Sequence, residues 1–305
     1  MTSMGQAAKD YLALRRRVGH RLERHDRLLF EFVQFLRRAK QTRLTTESAL
    51  AWAQTAVSPN AAARRLSVVR QFAEFLKLSR PRTEIPPKDL LPYRRRRQIP
   101  YIYSDGDVRA LMAATRILRG RLIGATYSTL FGLLATTGMR VGEATALDRS
   151  HFDPVEGTLT VWKGKQGRSR RLILHATTTA ALQAYARRRD RVIPHPRSST
   201  FFLSEAGTSL LGQNVHATFS RLLRSAGLAE RRPRRPRIHD LRHSFAVHTV
   251  TDWYRAGRDV ERMLPRLSTY LGHVSPVSTY WYLTGTPTLL SSAVKRLEQA
   301  MGRST

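Results

Sequence analysis

Residues 239–248 read HDLRHSFAVH. They open a helical pattern that runs from His239 to Arg255. His239 and Arg242 stand three apart, so one helical face offers an imidazole and a guanidinium to one ligand. Alone, the pair is equally well the ordinary basic face of a helix lying on a polyanion. His239, His243 and His248 also raise a zinc reading, but no acidic or cysteine ligand is obviously placed to complete such a site.

Three other stretches are ordered around this one. TGMRVGEATAL occupies 137–147, KGKQGRSRRLIL 163–174 and LGHVSPVSTYWY 271–282. In the first, Arg140 and Glu143 share a face at a helix start, which alone would be a surface ion pair. In the third, His273 would pass for a helix C-cap residue, and Tyr280 and Tyr282 for packed aromatics. Their joint order says more. Arginine presents a planar fork that matches phosphate oxygens. Histidine moves protons near neutral pH, and tyrosine forms covalent intermediates. Two arginines, two histidines and a tyrosine can therefore grip a phosphodiester and attack it without a metal. Tyr282 lies nine residues after His273. Positions i and i+2 on a helix point apart, so only one of Tyr280 and Tyr282 can face the arginines.

Composition agrees with a phosphodiester ligand. The 305 residues carry a formal net charge of +31 and a pI near 11.6. That bias concerns partners rather than fold. Basic residues recur along the whole chain, so the expected partner is nucleic acid. A membrane-surface protein would need a basic amphipathic helix with Trp or Phe opposite, and none is convincing. There are no cysteines, which excludes disulfides, thiolate catalysis and cysteine zinc sites. No apolar run reaches membrane-spanning length, and the first residues do not resemble a signal peptide. A cytoplasmic, nucleoid-associated location is expected.

The periodicity predicts a mainly α chain with a small antiparallel β-sheet. Residues 1–80 read as helical. Leu28, Leu29, Phe32, Phe35 and Leu36 fall at helical spacing within 25–40, and a short pattern follows over 46–56. Ser58-Pro59 reads as an N-cap with proline at the first helical position. It opens a helix with Leu66, Val69, Phe72, Phe75 and Leu76 on one stripe and Arg64, Arg65 and Arg70 opposite. Residues 81–100 are a basic, proline-rich connector, with Arg94 to Arg97 as a charge cluster that could cross a DNA backbone. A second domain spans 101–305. Ser104 and Asp107 suggest a capping box, and helical patterns run to about Thr137. Residues 158–162 and 170–174 alternate as strands joined by a hairpin over 163–168. Helices are expected again over 177–191, 211–226, 239–255 and 260–271. In the tail, Leu290, Val294, Leu297 and Met301 form one stripe after Pro287.

On the four quoted stretches, the chain resembles the tyrosine recombinases, a family that includes phage integrases and Xer-type proteins. The resemblance runs from about residue 98 to the end. It implies an α+β catalytic domain there, with residues 1–80 fitting the family's helical core-binding domain by position and size. It assigns Arg140 and Arg242 to the phosphate clamp, His239 to the second-box histidine, His273 to the later His/Trp position and Tyr282 to the nucleophile. Glu143 matches the acidic partner of the first arginine. Lys163 and Lys165 both flank Gly164, and the family's Gly-Lys order favours Lys165 as the acid for the departing 5′ oxygen. Ile173 stands where the family often has proline.

By the same resemblance, the partners are double-stranded DNA and further copies of the chain, as a tetramer. No metal, ATP or other cofactor is implied. LGHVSPVSTYWYLT is similar to recombinases of mobile elements that encode several side by side, which adds partner recombinases. A type IB topoisomerase and a non-catalytic DNA-binding protein of the same fold are the alternatives. The helical first domain and the tail helix oppose the former, and the intact residue set opposes the latter.

Overall fold

The computed structural model describes residues 3–19, 22–93, 99–162, 169–231 and 234–272. The chain divides into two compact units, Met1–Arg97 and Gln98–Thr305.

Four helices build the first unit: α1 (Met4–Arg17), α2 (Glu23–Arg38), α3 (Thr46–Gln54) and α4 (Pro59–Lys77). Ser58 caps α4 by accepting from the Ala61 N–H, with Pro59 in the first turn. Leu29, Phe32 and Leu36 of α2 meet Leu66, Val69, Phe72 and Leu76 of α4 in one apolar core, closed by Tyr11, Leu12 and Trp52. Leu28, Phe35 and Phe75 are only partly buried at its margin. Two arginines expected on an open basic face are tied to the protein. Arg65 donates to Thr55 Oγ1 at 2.7 Å and covers the Trp52 ring. Arg70 donates to the Pro86 and Pro87 carbonyls at 2.9 and 3.0 Å. The Glu84 carboxylate accepts from the Thr46 N–H at 2.8 Å, and Pro86 is buried. The start of the proline-rich stretch is thus strapped to this unit, whereas Arg94 to Arg97 lie outside the described residues.

The second unit contains α5 (Asp105–Ala114), α6 (Ile123–Thr137), α7 (Val141–Thr145), β1 (Phe152–Asp153), β2 (Thr158–Val161), β3 (Arg170–Ile173), α8 (Ala176–Val192), α9 (Gly212–Ser225), α10 (Asp240–Arg255) and α11 (Val260–Leu271). Ser104 and Asp107 cap α5 reciprocally, because each satisfies an N–H that the helix start leaves open. The strands form an antiparallel sheet in the order β1-β2-β3, with Leu159 opposite Leu172 and Val161 opposite Arg170. Leu172 is buried while Arg171 and Ile173 face outward, as period-two alternation requires. Ile173, where the family often has proline, is exposed. Strand β1, two residues long, is too short to leave a pattern.

Two packing events place the site. Gly138 ends α6 at φ +62, and a Cβ there would meet Phe245 of α10 at 2.6 Å and Leu271 of α11 at 2.8 Å. Only glycine allows that turn and that approach together. The α10 residues Ser244 and His248 hold the Tyr103 N–H and carbonyl, each at 2.7 Å, fastening α10 to the entry of the unit. His248 is thereby engaged in structure. No group of three or more His, Cys, Asp or Glu side chains among the described residues is arranged to hold a metal ion.

Candidate active site

The last turn of a helix leaves carbonyls without intrahelical partners, at the negative end of its dipole. At the end of α11, arginines from three other elements take them in succession. Arg170 of β3 donates from Nε to the Tyr270 carbonyl at 2.8 Å. Arg242 of α10 donates from Nη2 to that of Leu271 at 2.8 Å. Arg140, the residue before α7, donates from Nη2 to that of Gly272 at 2.9 Å. Arg242 also donates from Nη1 to the Gly138 carbonyl at 2.8 Å, joining the ends of α6 and α11.

Glu143 lies between two of these guanidiniums. It accepts from Arg140 Nη1 at 2.7 Å and from Arg170 Nη1 and Nη2 at 3.2 and 2.7 Å. It also accepts from the Arg140 backbone N–H at 3.1 Å. Burial opposes ionisation of this carboxyl, but the hydrogen bonds and charge of Arg170, then of Arg140, outweigh it and hold the pKa near 2. Near neutral pH Glu143 is therefore a carboxylate.

His239 precedes α10, its ring edge-on to His243 at 4.7 Å between centroids. Burial first, then the charges of Arg242, Arg237 and Arg140, depress its pKa to about 4, against a partial counter-effect from Asp240. The imidazole is neutral at pH 7 and can accept a proton. The two clamp candidates differ in access. Arg140 keeps 24% of its side chain exposed, whereas Arg242 is 2% exposed.

The structure thus brings Arg140 and Arg242 to the end of α11 and sets His239 close enough to both for their charges to lower its pKa. Lys163, Lys165, His273, Tyr280, Tyr282 and the tail stripe lie outside the described residues. Val161 and Arg170 pair across β2 and β3, on either side of residues 163–168, and Gly272 directly precedes His273. Arg170 was missed in reading the sequence. Its signal was faint: one arginine among several in GRSRRLIL, at a strand position whose partner Glu143 lies 27 residues away.

The family model described as "Phage integrase family" matches residues 103–287. The chain belongs to the phage integrase family. By that membership it is a tyrosine-type site-specific recombinase. It is 42% identical, over 98% of both chains, to a Sinorhizobium fredii (strain NBRC 101917 / NGR234) protein provisionally named integrase/recombinase y4rB. Tyrosine recombinase XerC of Chlamydia muridarum (strain MoPn / Nigg) is 29% identical over 75% of this chain and 68% of its own. The integrase fold recurs in solved structures. XerH recombinase, in a post-cleavage complex on its palindromic difH substrate, superposes with a TM-score of 0.67 at 18% identity, over 98% of this chain and 86% of its own. Lambda integrase, solved as a tetramer on a Holliday junction, gives 0.64 at 14% identity, over 92% and 77%. No helix among the described residues of this integrase-family chain is long and apolar enough to cross a membrane.

Proposed function

We propose that this recombinase cuts and rejoins DNA through a 3′-phosphotyrosyl intermediate, with Tyr282 as the nucleophile. The supporting observation is the convergence of Arg140 and Arg242 on the end of α11, directly before His273, with a neutral His239 within reach of both arginine charges. A wild-type chain mixed with a nicked suicide duplex carrying its site should become covalently attached to the 3′ side of the cut. Retention of DNA without any covalent product sinks the reading in favour of a non-catalytic binder. Attachment followed only by resealing of the original strand favours a topoisomerase.

Tyr282 Oη attacks the phosphorus and its proton passes to His239. The bond to the 5′ oxygen breaks, and that oxygen takes a proton from Lys165, leaving a free 5′ hydroxyl. A free phenol is ionised only about once in a thousand at pH 7, a cost of about 4 kcal/mol. The arginine charges lower this cost and stabilise the oxygens of the developing phosphorane. Arg140, the more accessible, grips the phosphate. Arg242 acts from beneath, by charge and by setting the turns that carry Gly138 and Leu271. His273 donates a hydrogen bond to the phosphate. The arriving anion offsets the arginine charges around His239 and raises its pKa, so the base strengthens when substrate is present. A 5′ hydroxyl from a second duplex reverses the attack. The ester conserves the bond energy, so ATP, a metal ion and other cofactors are not required.

Lys165→Ala should slow cleavage at least about a hundredfold and far more than Lys163→Ala. A 5′-bridging sulfur should restore the slowed variant, because a thiolate leaves without an acid. Rescue confined to Lys163→Ala reassigns the role, and rescue of neither removes the general acid.

The biological setting we propose is integration, excision or transposition of a mobile element in the cytoplasm, on nucleoid DNA, alone or with partner recombinases. Residues 1–80 serve as the core-binding domain, 81–100 as the linker and 101–305 as the catalytic domain. Four protomers join two DNA sites, and the helix predicted after Pro287 docks on a neighbouring protomer. A chain ending at Thr286 should bind one site yet form no synaptic complex or exchanged product. If it assembles and recombines as the full chain does, the tail is ordinary packing. Cleavage mapping on the ends of the encoding element tests the choice of substrate.

A further inference from the structure

Arg170 differs from its two neighbours at the end of α11. Its side chain is 12% exposed, and Nε, Nη1 and Nη2 each have a protein acceptor. It is therefore poorly placed to meet substrate. Its fork spans two structures that sequence holds far apart. One edge lies on the Glu143 carboxylate, which also orients Arg140, and Nε reaches the last turn of α11. The chain makes room for it. Gly272 has φ +67, and a Cβ there would stand 2.8 Å from Arg170 Nη1. Glu143 makes its hydrogen bonds to Arg140 and Arg170, not to α11 itself.

We propose that Arg170 is a positioning residue that locks Arg140, through Glu143, to the end of α11, so that the phosphate-gripping guanidinium and the chain entering His273 keep one fixed relation. The catalytic half of this inference rests on the function proposed above; the mechanical half does not. A planar fork is required because two N–H groups lie along one carboxylate while a third points to a carbonyl. Lysine carries the same charge as a single point donor and cannot span both.

Two measurements on the full chain decide the matter. The first is amide hydrogen exchange of the DNA-free protein. Arg170→Lys should raise exchange in the last turn of α11 about tenfold or more, the consequence of losing a charge-assisted hydrogen bond. Glu143→Gln should loosen the same turn without touching it, because the carboxylate orients both Arg140 and Arg170, which donate to that turn, and it serves should Arg170 variants fold poorly. Arg171→Lys, on the outward face of β3, should leave the turn unchanged. The second is single-turnover covalent attachment at saturating nicked duplex. Arg170→Lys should lose about tenfold or more in rate, with the half-saturating DNA concentration changed less than about threefold. Unchanged exchange in both bridge variants overturns the proposal. So does loosened exchange with a wild-type attachment rate, or full rescue by lysine. If the wild-type chain attaches to no DNA at all, the proposed chemistry fails, while the exchange result still decides whether Arg170 holds α11.

Discussion

Tyr282→Phe is expected to abolish covalent DNA attachment, with a loss on the order of ten-thousandfold or more, because the variant keeps the ring and removes the only atom that can bond to phosphorus. DNA affinity should stay within about threefold, since phosphate contacts to arginine and lysine supply most of it. The measurement is a denaturing gel of protein on nicked suicide duplex, beside a filter-binding isotherm. Tyr280 is the necessary control. It lies two residues from Tyr282 in the same stretch, and on a helix the two rings point apart. Attachment by Tyr282→Phe together with its loss in Tyr280→Phe would transfer the role to Tyr280.

Arg242→Ala should injure fold and chemistry together, whereas Arg140→Ala should injure chiefly chemistry. Arg242 is almost wholly buried and holds the carbonyls of Gly138 and Leu271, both at 2.8 Å. Removing it leaves two buried acceptors without that donor, a loss on the order of 3–5 kcal/mol. For a unit of this size, that lowers Tm by roughly 10 °C. Arg140 is partly solvated, so its removal should cost about 1 kcal/mol in stability, while attachment falls at least about a hundredfold in both variants. Arg242→Ala should also let the His239 pKa climb back from about 4 toward its ordinary value. Burial would still hold it down, but the largest neighbouring positive charge would be gone. Thermal unfolding, single-turnover attachment and an imidazole titration by NMR make the comparison. Equal Tm shifts for the two arginine variants would refute the structural role given to Arg242.

His239 illustrates how a site can be both legible and incomplete in sequence. Its i,i+3 relation to Arg242 is local: His239 is the residue before α10 and Arg242 lies in the first turn of that helix. Its depressed pKa is not local. Burial causes it first, then charges that include that of Arg140, far earlier in the chain. Similarly, a bare reading of α4 puts Arg65 and Arg70 on an outer face. The structure turns one onto Trp52 and the other onto the carbonyls of Pro86 and Pro87. A long side chain on a polar face can bind the protein's own backbone as readily as a polyanion.

By itself, the order of residues determined whatever depends on near neighbours. The caps at Ser58 and Ser104 were readable because a cap bonds an N–H three residues on. The stripes of α2 and α4, and the alternation of β3, were readable because helix and strand repeat within a few residues. The motif set, with Arg140, His239 and Arg242 in it, pointed to the family for the same reason. Only the tertiary structure decided that three arginines close the end of α11, that Glu143 is shared by two of them, and that Gly138 must admit Phe245 and Leu271. The hydrogen bonds that join separate elements there link residues 27, 29, 100 and 132 positions apart. No periodic pattern reaches that far, because partners across such distances are chosen by packing of the completed core rather than by spacing along the chain.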